Sequence, residues 1–436
     1  MIELGNHINT QKGYAFKSGW YGDQGVPIVK VSDFTDDSIS TQNLAFIPEE
    51  IASRYQKYKL NTGEIIIQTV GSWPSNPKSV VGKVVRVPQE AQGALLNQNA
   101  VLIVNNPLLD QAFTYYLLKD NSFKKYIIGC AQGSASQASI TLESIRAFQF
   151  QCPPLLLQQK IADILSTYDR LIENNTRRIK ILEEMAQLLY REWFVNFRFP
   201  RHEDVKLVES AIGLIPEGWE VCKLGDILDI KHGYAFKGKF FTEEPTNNIL
   251  LTPGNFSVGG GFQDKRLKYY DGEVPKDYVL QTGDLLLTMT DLSKIGDTLG
   301  FPIFVPASKN NCFLHNQRLG KVLIKPNQSL GKNYLYYVFC SNEYRHHVLA
   351  SATGSTVRHT APDRIKSFQI VVPGLELTQK FENIMDVSRN QINNLNQKNR
   401  NLRQTRDRLL PKLISGETDV EALDLGSLEM GESIGA

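Results

Sequence analysis

The chain has no long apolar run and few cysteines, and both shortages limit what it can be. No stretch of its 436 residues approaches the roughly 20 consecutive apolar residues that cross a bilayer. The 5 cysteines are an odd number without close pairing, and no apolar segment follows a basic start at the N-terminus. We therefore expect a cytosolic protein without a disulfide framework.

Strong charge and cofactor motifs are also missing. A formal net charge of +2 at pH 7 is too small to indicate a nucleic-acid partner by itself. No Gly-x4-Gly-Lys-Ser/Thr phosphate loop occurs, so we expect no ATP chemistry in this chain. Cys312 and His315 have the spacing of metal ligands, but no second pair completes the set of about four that zinc requires. The sequence thus predicts no metal site.

Two long stretches carry the heptad pattern of a coiled coil. Apolar residues recur at alternating steps of four and three within residues 157–197 and again within residues 377–413. The seam residues are Ile161, Leu165, Tyr168, Ile172, Ile179, Leu182, Ala186, Leu189 and Trp193 in the first stretch, and Phe381, Met385, Ile392, Leu395, Leu402, Leu409 and Leu413 in the second. Two such helices in one chain are predicted to pair with each other.

The whole sequence is an internal repeat with an offset of about 220 residues. The string Gly-Tyr-Ala-Phe-Lys occurs at residues 13–17 and again at residues 233–237. Further matches include Asn97-Gln98 with Asn316-Gln317, Gly133-Ser134 with Gly354-Ser355, and Gln159-Lys160 with Gln379-Lys380. This period is too long for a solenoid unit, so it indicates two copies of a domain-plus-helix module. The predicted fold class is α+β, with two mixed α/β domains joined by two long helices in an antiparallel coiled coil.

The repeat also predicts the domain boundaries. The acidic end of the chain has no basic residue and little periodicity, which predicts disorder. The predicted segments are a first domain at residues 1–154, a first long helix at 155–198, a linker at 199–215, a second domain at 216–374, a second long helix at 375–416 and a disordered tail at 417–436.

This architecture suits an extended ligand with two separate sites. About 37 helical residues at roughly 1.5 Å each span about 55 Å, which is about one and a half turns of B-DNA. Antiparallel packing would place the two domains at opposite ends of that rod. Duplex DNA is the obvious ligand, and a non-catalytic scaffold that binds other proteins with its two domains is the alternative. A gel shift with random duplex pools would separate them.

The sequence resembles the specificity subunits of type I restriction-modification systems. The resemblance rests on the run from Ile215 to Glu220 ahead of Leu224-Gly225-Asp226, on the Gly-Ser turns, and on the run from Leu402 to Glu417. The first module departs from it, because it begins at Ile2 without the Pro-Glu-Gly-Trp lead-in, and the linker is short.

The resemblance implies a non-catalytic subunit with two target recognition domains, which bind a two-part DNA sequence with an unread gap. Two modification subunits would dock on the helices, bring S-adenosylmethionine and methylate adenine, and restriction subunits would add ATP- and Mg-dependent translocation and cleavage. The chain itself lacks the Asn/Asp-Pro-Pro-aromatic motif of adenine methyltransferases, since its nearest string is Asn76-Pro77-Lys78-Ser79. We therefore expect cofactors on the partner subunits only.

The repeat indicates which residues could distinguish two DNA sequences. Residues identical in both copies cannot do so, and base recognition is predicted where matching loops diverge, at residues 71–78 and 136–137 in the first domain and 290–297 and 358–359 in the second. Arg358 suits a bidentate contact to guanine and Gln137 one to adenine. The predicted base-reading residues are Ser72, Asn76, Lys78, Ser136, Gln137, Ser293, Lys294, Arg358 and His359, and the predicted phosphate contacts are Lys17, Lys237, Ser134 and Ser355.

Two asparagines are predicted to fix the register of the long helices. An antiparallel seam with Asn175 opposite Asn399 matches Ile161 with Leu413, Trp193 with Phe381, and Tyr168 with Arg406. A slip of one heptad would bury each amide against an aliphatic residue, at about 1 to 3 kcal/mol each. A buried polar pair of this kind is a known register device in coiled coils.

Overall fold

The computed structural model describes residues 1–74, 80–134, 137–264, 267–291, 293, 295–354 and 356–420. It divides into two compact units. The first unit comprises Met1–Asn174 with Asn399–Ala436, and the second comprises Asn175–Lys398. Among the described residues, no helix is both long enough and apolar enough to cross a membrane.

The first unit contains a mixed α/β domain followed by the start of a long helix. Its strands are β1 (Ile2–Glu3), β2 (Ile8–Lys12), β3 (Val26–Val29), β4 (Ala45–Ile47), β5 (Ile65–Gln68), β6 (Val70–Gly71), β7 (Val84–Arg86), β8 (Leu95–Leu96), β9 (Ala100–Asn105), β10 (Gln132–Ser134), β11 (Gln137–Ser139) and β12 (Gln149–Phe150). Its helices are α1 (Glu49–Ala52), α2 (Gln111–Lys119), α3 (Asn121–Gly129), α4 (Leu142–Arg146) and the long α5 (Leu155–Tyr190), which continues into the second unit.

The centre of this domain is an antiparallel sheet in the order β2-β9-β5-β7. Ile65 and Ile67 pack into the core cluster that includes α2 and α3, whereas Ile66 belongs to a separate cluster. Successive side chains of a strand point to opposite faces, so three consecutive isoleucines require that both faces be covered. The domain also contains a smaller sheet, β4-β3-β8, the short sheet β10-β11-β6 and the strand pair β1-β12.

The second unit repeats this plan. Its strands are β13 (Leu207–Ser210), β14 (Gly213–Pro216), β15 (Glu220–Lys223), β16 (Leu228–His232), β17 (Phe241–Thr242), β18 (Asn248–Leu251), β19 (Lys268–Tyr270), β20 (Val279–Leu280), β21 (Leu285–Thr288), β22 (Thr290–Asp291), β23 (Pro302–Phe304), β24 (Cys312–His315), β25 (Leu319–Ile324), β26 (Arg358–His359) and β27 (Gln369–Val372). Its helices are α6 (Leu224–Ile227), α7 (Lys332–Cys340), α8 (Asn342–Ser351), α9 (Pro362–Lys366) and the long α10 (Leu375–Ile414), which ends in the first unit.

The sheet topology confirms the internal repeat. The order β16-β25-β21-β23 matches β2-β9-β5-β7, and the parallel pair β18–β24 matches the parallel pair β3–β8. Tyr14 forms a parallel bridge with Asn97, and Tyr234 forms the same bridge with Asn316.

The repeated glycine has a steric role at this bridge. A Cβ on Gly13 would lie 2.0 Å from the Asn97 carbonyl oxygen, and a Cβ on Gly233 would lie 2.1 Å from that of Asn316. No side chain fits at either distance, so the repeated Gly-Tyr-Ala-Phe-Lys string serves the fold.

The long helices pack against each other in an antiparallel direction within each unit. In the first unit, Ile161 and Leu165 share a core with Leu413 and Leu409. In the second unit, the rings of Trp193 and Phe381 lie 6.2 Å apart, as the predicted seam requires. The α5 helix is followed by a π-helical turn, Arg191–Val195.

Arg406, which the predicted seam places opposite Tyr168, binds the carboxylate one residue further along that helix. Arg406 Nη1 donates to Asp169 Oδ1 at 2.6 Å and to Asp37 Oδ2 at 3.2 Å. An ion pair whose two groups are also joined by a hydrogen bond is stronger than a cation–π contact with a partly exposed ring. Arg406 thereby connects α10 to α5 and to the first domain.

The linker and the start of the tail contain ordered structure. Strands β13 and β14 form a hairpin at residues 207–216, and beyond it the Trp219 ring stacks on Phe199 at 5.3 Å. Val420 is buried in the core of the first unit, so the tail prediction is wrong for this residue because the core provides an apolar contact. Residues 421–436 of the predicted tail lie outside the described residues.

Candidate nucleic-acid interface

In the first domain, the two segments predicted to read bases lie side by side. Strand β11 pairs with β6, with Ala138 opposite Gly71. The indole nitrogen of Trp73 donates to the Ser134 carbonyl oxygen at 2.8 Å, which ties the segment after β6 to the β10–β11 hairpin. Ser134 and Gln137 are both exposed. A Gln side chain in that position has its amide available for the edge of a base.

Burial removes Ser72 from the set of suitable base readers. Its exposed fraction is 9%, and its carbonyl oxygen accepts a hydrogen bond from the Val81 amide at 3.0 Å. A residue held inside the domain cannot reach a base edge without opening this contact. The predicted readers Asn76, Lys78, Ser136 and Lys294, and the predicted phosphate contact Ser355, lie outside the described residues.

The second domain brings its two divergent segments together in the same way. Strand β22 pairs with β26, so Thr290 lies opposite His359 and Asp291 lies opposite Arg358. The Thr290 hydroxyl lies 3.1 Å from His359 Nδ1. His359 is exposed and Arg358 is half-buried. The corresponding places in the two domains thus carry different polar side chains on similar strand pairs, as different DNA sequences would require.

Asp291 organises the segment that follows β22. Its carboxylate accepts hydrogen bonds from the Ser293 amide at 2.6 Å and from the Thr298 hydroxyl at 2.7 Å, and also from the Thr298 amide. Burial raises the pKa of Asp291, but these hydrogen bonds outweigh burial and the net effect lowers it. Ser293 is half-buried, and its hydroxyl oxygen accepts from the Asp297 amide at 2.8 Å. These hydrogen bonds link Ser293, Asp297 and Thr298 to the end of β22.

The two repeated lysines lie on similar surfaces. Lys17 and Lys237 are exposed, and each follows a buried phenylalanine. The ammonium group of Lys17 lies 5.5 Å from the Trp20 ring centroid. An exposed amine at the same place in both domains has the chemistry of a sequence-independent phosphate contact, and that assignment stays a prediction.

Three residues that contact these loops were not predicted from the sequence: Trp73, Asp291 and Arg345, whose guanidinium donates to the carbonyl oxygens of Gly296 and Leu299. Trp73 carries the one signal that could have revealed it, because a tryptophan in a polar loop usually finds a partner for its indole N–H. Asp291 stands two residues before Ser293, the spacing of a local turn, whereas Arg345 has no sequence signal because its partners are carbonyl oxygens 46 and 49 residues away.

Cys312 and His315, which have the sequence spacing of metal ligands, lie in different environments. His315 is buried and its Nε2 lies 3.0 Å from the Leu319 carbonyl oxygen, and burial lowers its pKa to about 4. Cys312 is exposed. Within the described ranges, no group of three or more His, Cys, Asp or Glu side chains is arranged to hold a metal ion.

Comparisons with known proteins identify the family. The sequence profile of the type I restriction modification DNA specificity domain matches residues 2–184 and 216–404. The MjaIX specificity subunit of Methanocaldococcus jannaschii is 25% identical over 323 residues, which is 71% of this chain and 70% of that protein. The MjaVIII specificity subunit of the same organism is 22% identical over 91% of this chain and 90% of that protein.

A specificity subunit from a bacterium and a solved structure extend the comparison. The HindI specificity subunit of Haemophilus influenzae is 22% identical over 70% of this chain and 77% of that protein. The crystal structure of an S subunit from M. genitalium has the same fold, with a TM-score of 0.53 and 16% identity over 95% of both chains. The three curated relatives are named specificity subunits, which confirms the prediction of a recognition subunit rather than an enzyme. This chain therefore belongs to the family of type I restriction-modification DNA specificity subunits.

Proposed function

We propose that this subunit binds a two-part duplex DNA target with an unread gap, and that each α/β domain reads one part. The observation that carries the proposal is the pairing of divergent segments in each domain, β6 with β11 and β22 with β26. The two pairs match in the repeat but differ in their accessible polar side chains, which are Gln137 and Ser139 on β11 and His359 with the half-buried Arg358 on β26. A repeated scaffold with different polar groups at one place is what recognition of two unlike half-sites requires.

In this proposal the subunit directs the chemistry of its partners. Two modification subunits bind to the long helices, bring S-adenosylmethionine and methylate adenine in the bound target. Restriction subunits add ATP- and Mg-dependent translocation and cleavage. The support for separate catalytic subunits is the family to which the chain belongs, together with its lack of a phosphate loop and of a methyltransferase motif.

Exchange of one domain tests whether each domain reads one half of the DNA target. Replacement of residues 1–154 by the corresponding domain of another specificity subunit should change one half of the DNA target and leave the other half and the gap unchanged, because the two reading surfaces belong to separate domains. The measurement is selection from a random duplex pool by the chain reconstituted with a modification subunit, followed by sequencing. A change in both halves would contradict independent recognition, and failure of the unaltered complex to select any sequence would favour a protein-binding scaffold.

A second prediction concerns the length of the gap, which we propose is set by the register of α5 against α10 through Asn175 and Asn399. Asn399 is 3% exposed and Asn175 is half-buried. Replacement of both by leucine should raise the melting temperature, because a buried and a half-buried amide are exchanged for apolar groups, and should loosen the preference for one gap length. Thermal unfolding and selection from duplexes with varied gaps measure the two effects.

The matched control replaces Asn174 and Asn393, which lie on the same helices and are exposed, with leucine. This pair should leave the gap preference unchanged. An unchanged gap preference in the Asn175 and Asn399 double variant would remove these residues from the account of target spacing.

A further inference from the structure

The segment between Asp291 and Leu299 is held from outside by one arginine of helix α8. The Arg345 guanidinium donates hydrogen bonds to the carbonyl oxygens of Gly296 and Leu299. Its carbon Cζ lies 4.5 Å from the ring centroid of Phe301, which packs along the planar guanidinium. A single side chain thereby fixes two successive turns of the loop, because the fork of the guanidinium binds two acceptors at once.

Gly296 connects this arginine to the predicted base reader Arg358. Gly296 has a φ of +74°. A methyl group placed on it would lie 3.5 Å from Cγ and 3.7 Å from Cβ of Arg358. The Arg358 stem therefore lies close to Gly296, whose carbonyl oxygen accepts a hydrogen bond from Arg345. Any shift of Gly296 would change the surface that supports Arg358.

The first domain has no arginine at the corresponding place. The pair of helices α7 and α8 matches α2 and α3, and an offset of 221 places the exposed Lys124 where α8 carries Arg345. The reading segment of the first domain is instead tied down by the contact between Trp73 and Ser134. The two domains thus hold their recognition segments by different means.

We propose that Arg345 is a positioning residue for base recognition by the second domain, acting through Gly296 on Arg358. This inference rests on the proposed function, because it assumes that Arg358 contacts a base. The role of Arg345 is to hold the loop in its DNA-reading conformation before DNA binds. Binding then costs little conformational entropy in the loop. Arg345 itself touches no base in this mechanism.

The test compares Arg345→Met, Arg358→Ala and the double variant in the chain reconstituted with a modification subunit. Methionine keeps an unbranched stem over Phe301 and removes the donors. Arg345→Met should lower discrimination at the base pair that Arg358 reads by about tenfold, with the other half-site unaffected. The double variant should be no worse than Arg358→Ala alone, because both changes act through one side chain. Arg345→Lys should fall between, since an ammonium group cannot bridge two carbonyl oxygens with the same geometry.

The control is Lys124→Met on the matching helix of the first domain, which should leave both half-sites unchanged. A purely structural role of Arg345 would instead lower the melting temperature and weaken binding equally on every base variant. Equal weakening, additive effects in the double variant, or unchanged discrimination in Arg345→Met would overturn the inference. If Arg358→Ala itself has no base-specific effect, the proposed role of Arg358 fails and the inference fails with it, and that outcome is distinct from the others.

Discussion

Arg406→Ala should destabilise the first unit by about 3 kcal/mol, because it removes the most buried of three cations beside the carboxylates of Asp37 and Asp169. Arg406 is buried, and the Asp169 side chain beside it is 12% exposed. The Tyr116 hydroxyl also donates to Asp169 Oδ2 at 2.6 Å, so that this carboxylate cannot turn towards water without breaking a second contact. Loss of one partner of a buried pair leaves a charge with less compensation, and here Arg86 at 4.0 Å from Asp169 and Lys119 at 2.8 Å from Asp37 keep the cost at the lower end of the usual range.

Hydrogen exchange resolved by segment measures this effect, because the chain has two units and a single melting curve would combine them. Amides of α2 and of the sheet β2-β9-β5-β7 should lose protection in Arg406→Ala, and those of the second unit should not. The matched control is Arg408→Ala, two residues further along α10, whose side chain is exposed. That change should alter protection by less than about 0.5 kcal/mol, as expected for surface substitutions. Equal effects of the two variants would show that the cluster contributes nothing specific.

The same cluster makes the stability of the first unit depend on acid pH. Burial raises the pKa of Asp37, but Lys119 at 2.8 Å and Arg406 outweigh burial and bring the pKa down to about 2. A carboxyl group whose pKa is lower in the folded state binds fewer protons there than in the unfolded chain. The contribution of Asp37 to the free energy of unfolding is therefore complete above the ordinary pKa of an Asp side chain, near 4. It is lost as the pH falls towards 2. This part of the acid dependence should shrink in Arg406→Ala.

Arg358→Ala should cost about 1 to 3 kcal/mol in binding to the correct target and should relax specificity at one base pair of one half-site. The physical reason is that a bidentate guanidinium recognises two acceptors on guanine, and alanine recognises none. Binding of the reconstituted complex to a duplex panel with each base changed in turn measures the loss. The other half-site, assigned to the first domain, should show the unaltered preference.

Lys237→Ala is the control for this experiment in the same domain. A phosphate contact carries no sequence information, so its loss should weaken binding to all duplexes alike and reduce the salt dependence of binding by about one counterion. If Arg358→Ala behaves like Lys237→Ala, Arg358 contacts the backbone instead of a base. The comparison separates direct recognition from electrostatic attachment within one domain.

The periodic and repeated features of this protein could be predicted from the sequence. The heptad pattern within residues 157–197 and 377–413 indicated two long helices, and the structure has α5 (Leu155–Tyr190) and α10 (Leu375–Ile414) there. The repeat also located the divergent segments that β6 and β11, and β22 and β26, bring together. These inferences succeed because the hydrophobic period and the repeat offset can be read from the sequence itself. Neither depends on how distant segments pack in the folded chain.

The accessibility of single polar residues could not be predicted. Ser72 and Gln137 have equally suitable side chains for a base edge, yet Ser72 is buried behind its contact with Val81 and Gln137 is exposed. A polar side chain in a loop has no period that marks it as inward or outward. Which of the two faces solvent depends on strand pairing between segments that lie far apart in the chain.

By itself, the sequence determined that this protein has two copies of one α/β module and two paired long helices, since heptad spacing and a constant offset leave few other arrangements. Only the tertiary structure decided which charged groups support those elements. Arg406 lies 237 residues from Asp169 and 369 residues from Asp37, and Arg345 binds carbonyl oxygens 46 and 49 residues away. Partners at such separations are chosen by the folded geometry, because an ion pair or a backbone hydrogen bond needs atoms within about 3 Å and leaves no pattern in the local sequence.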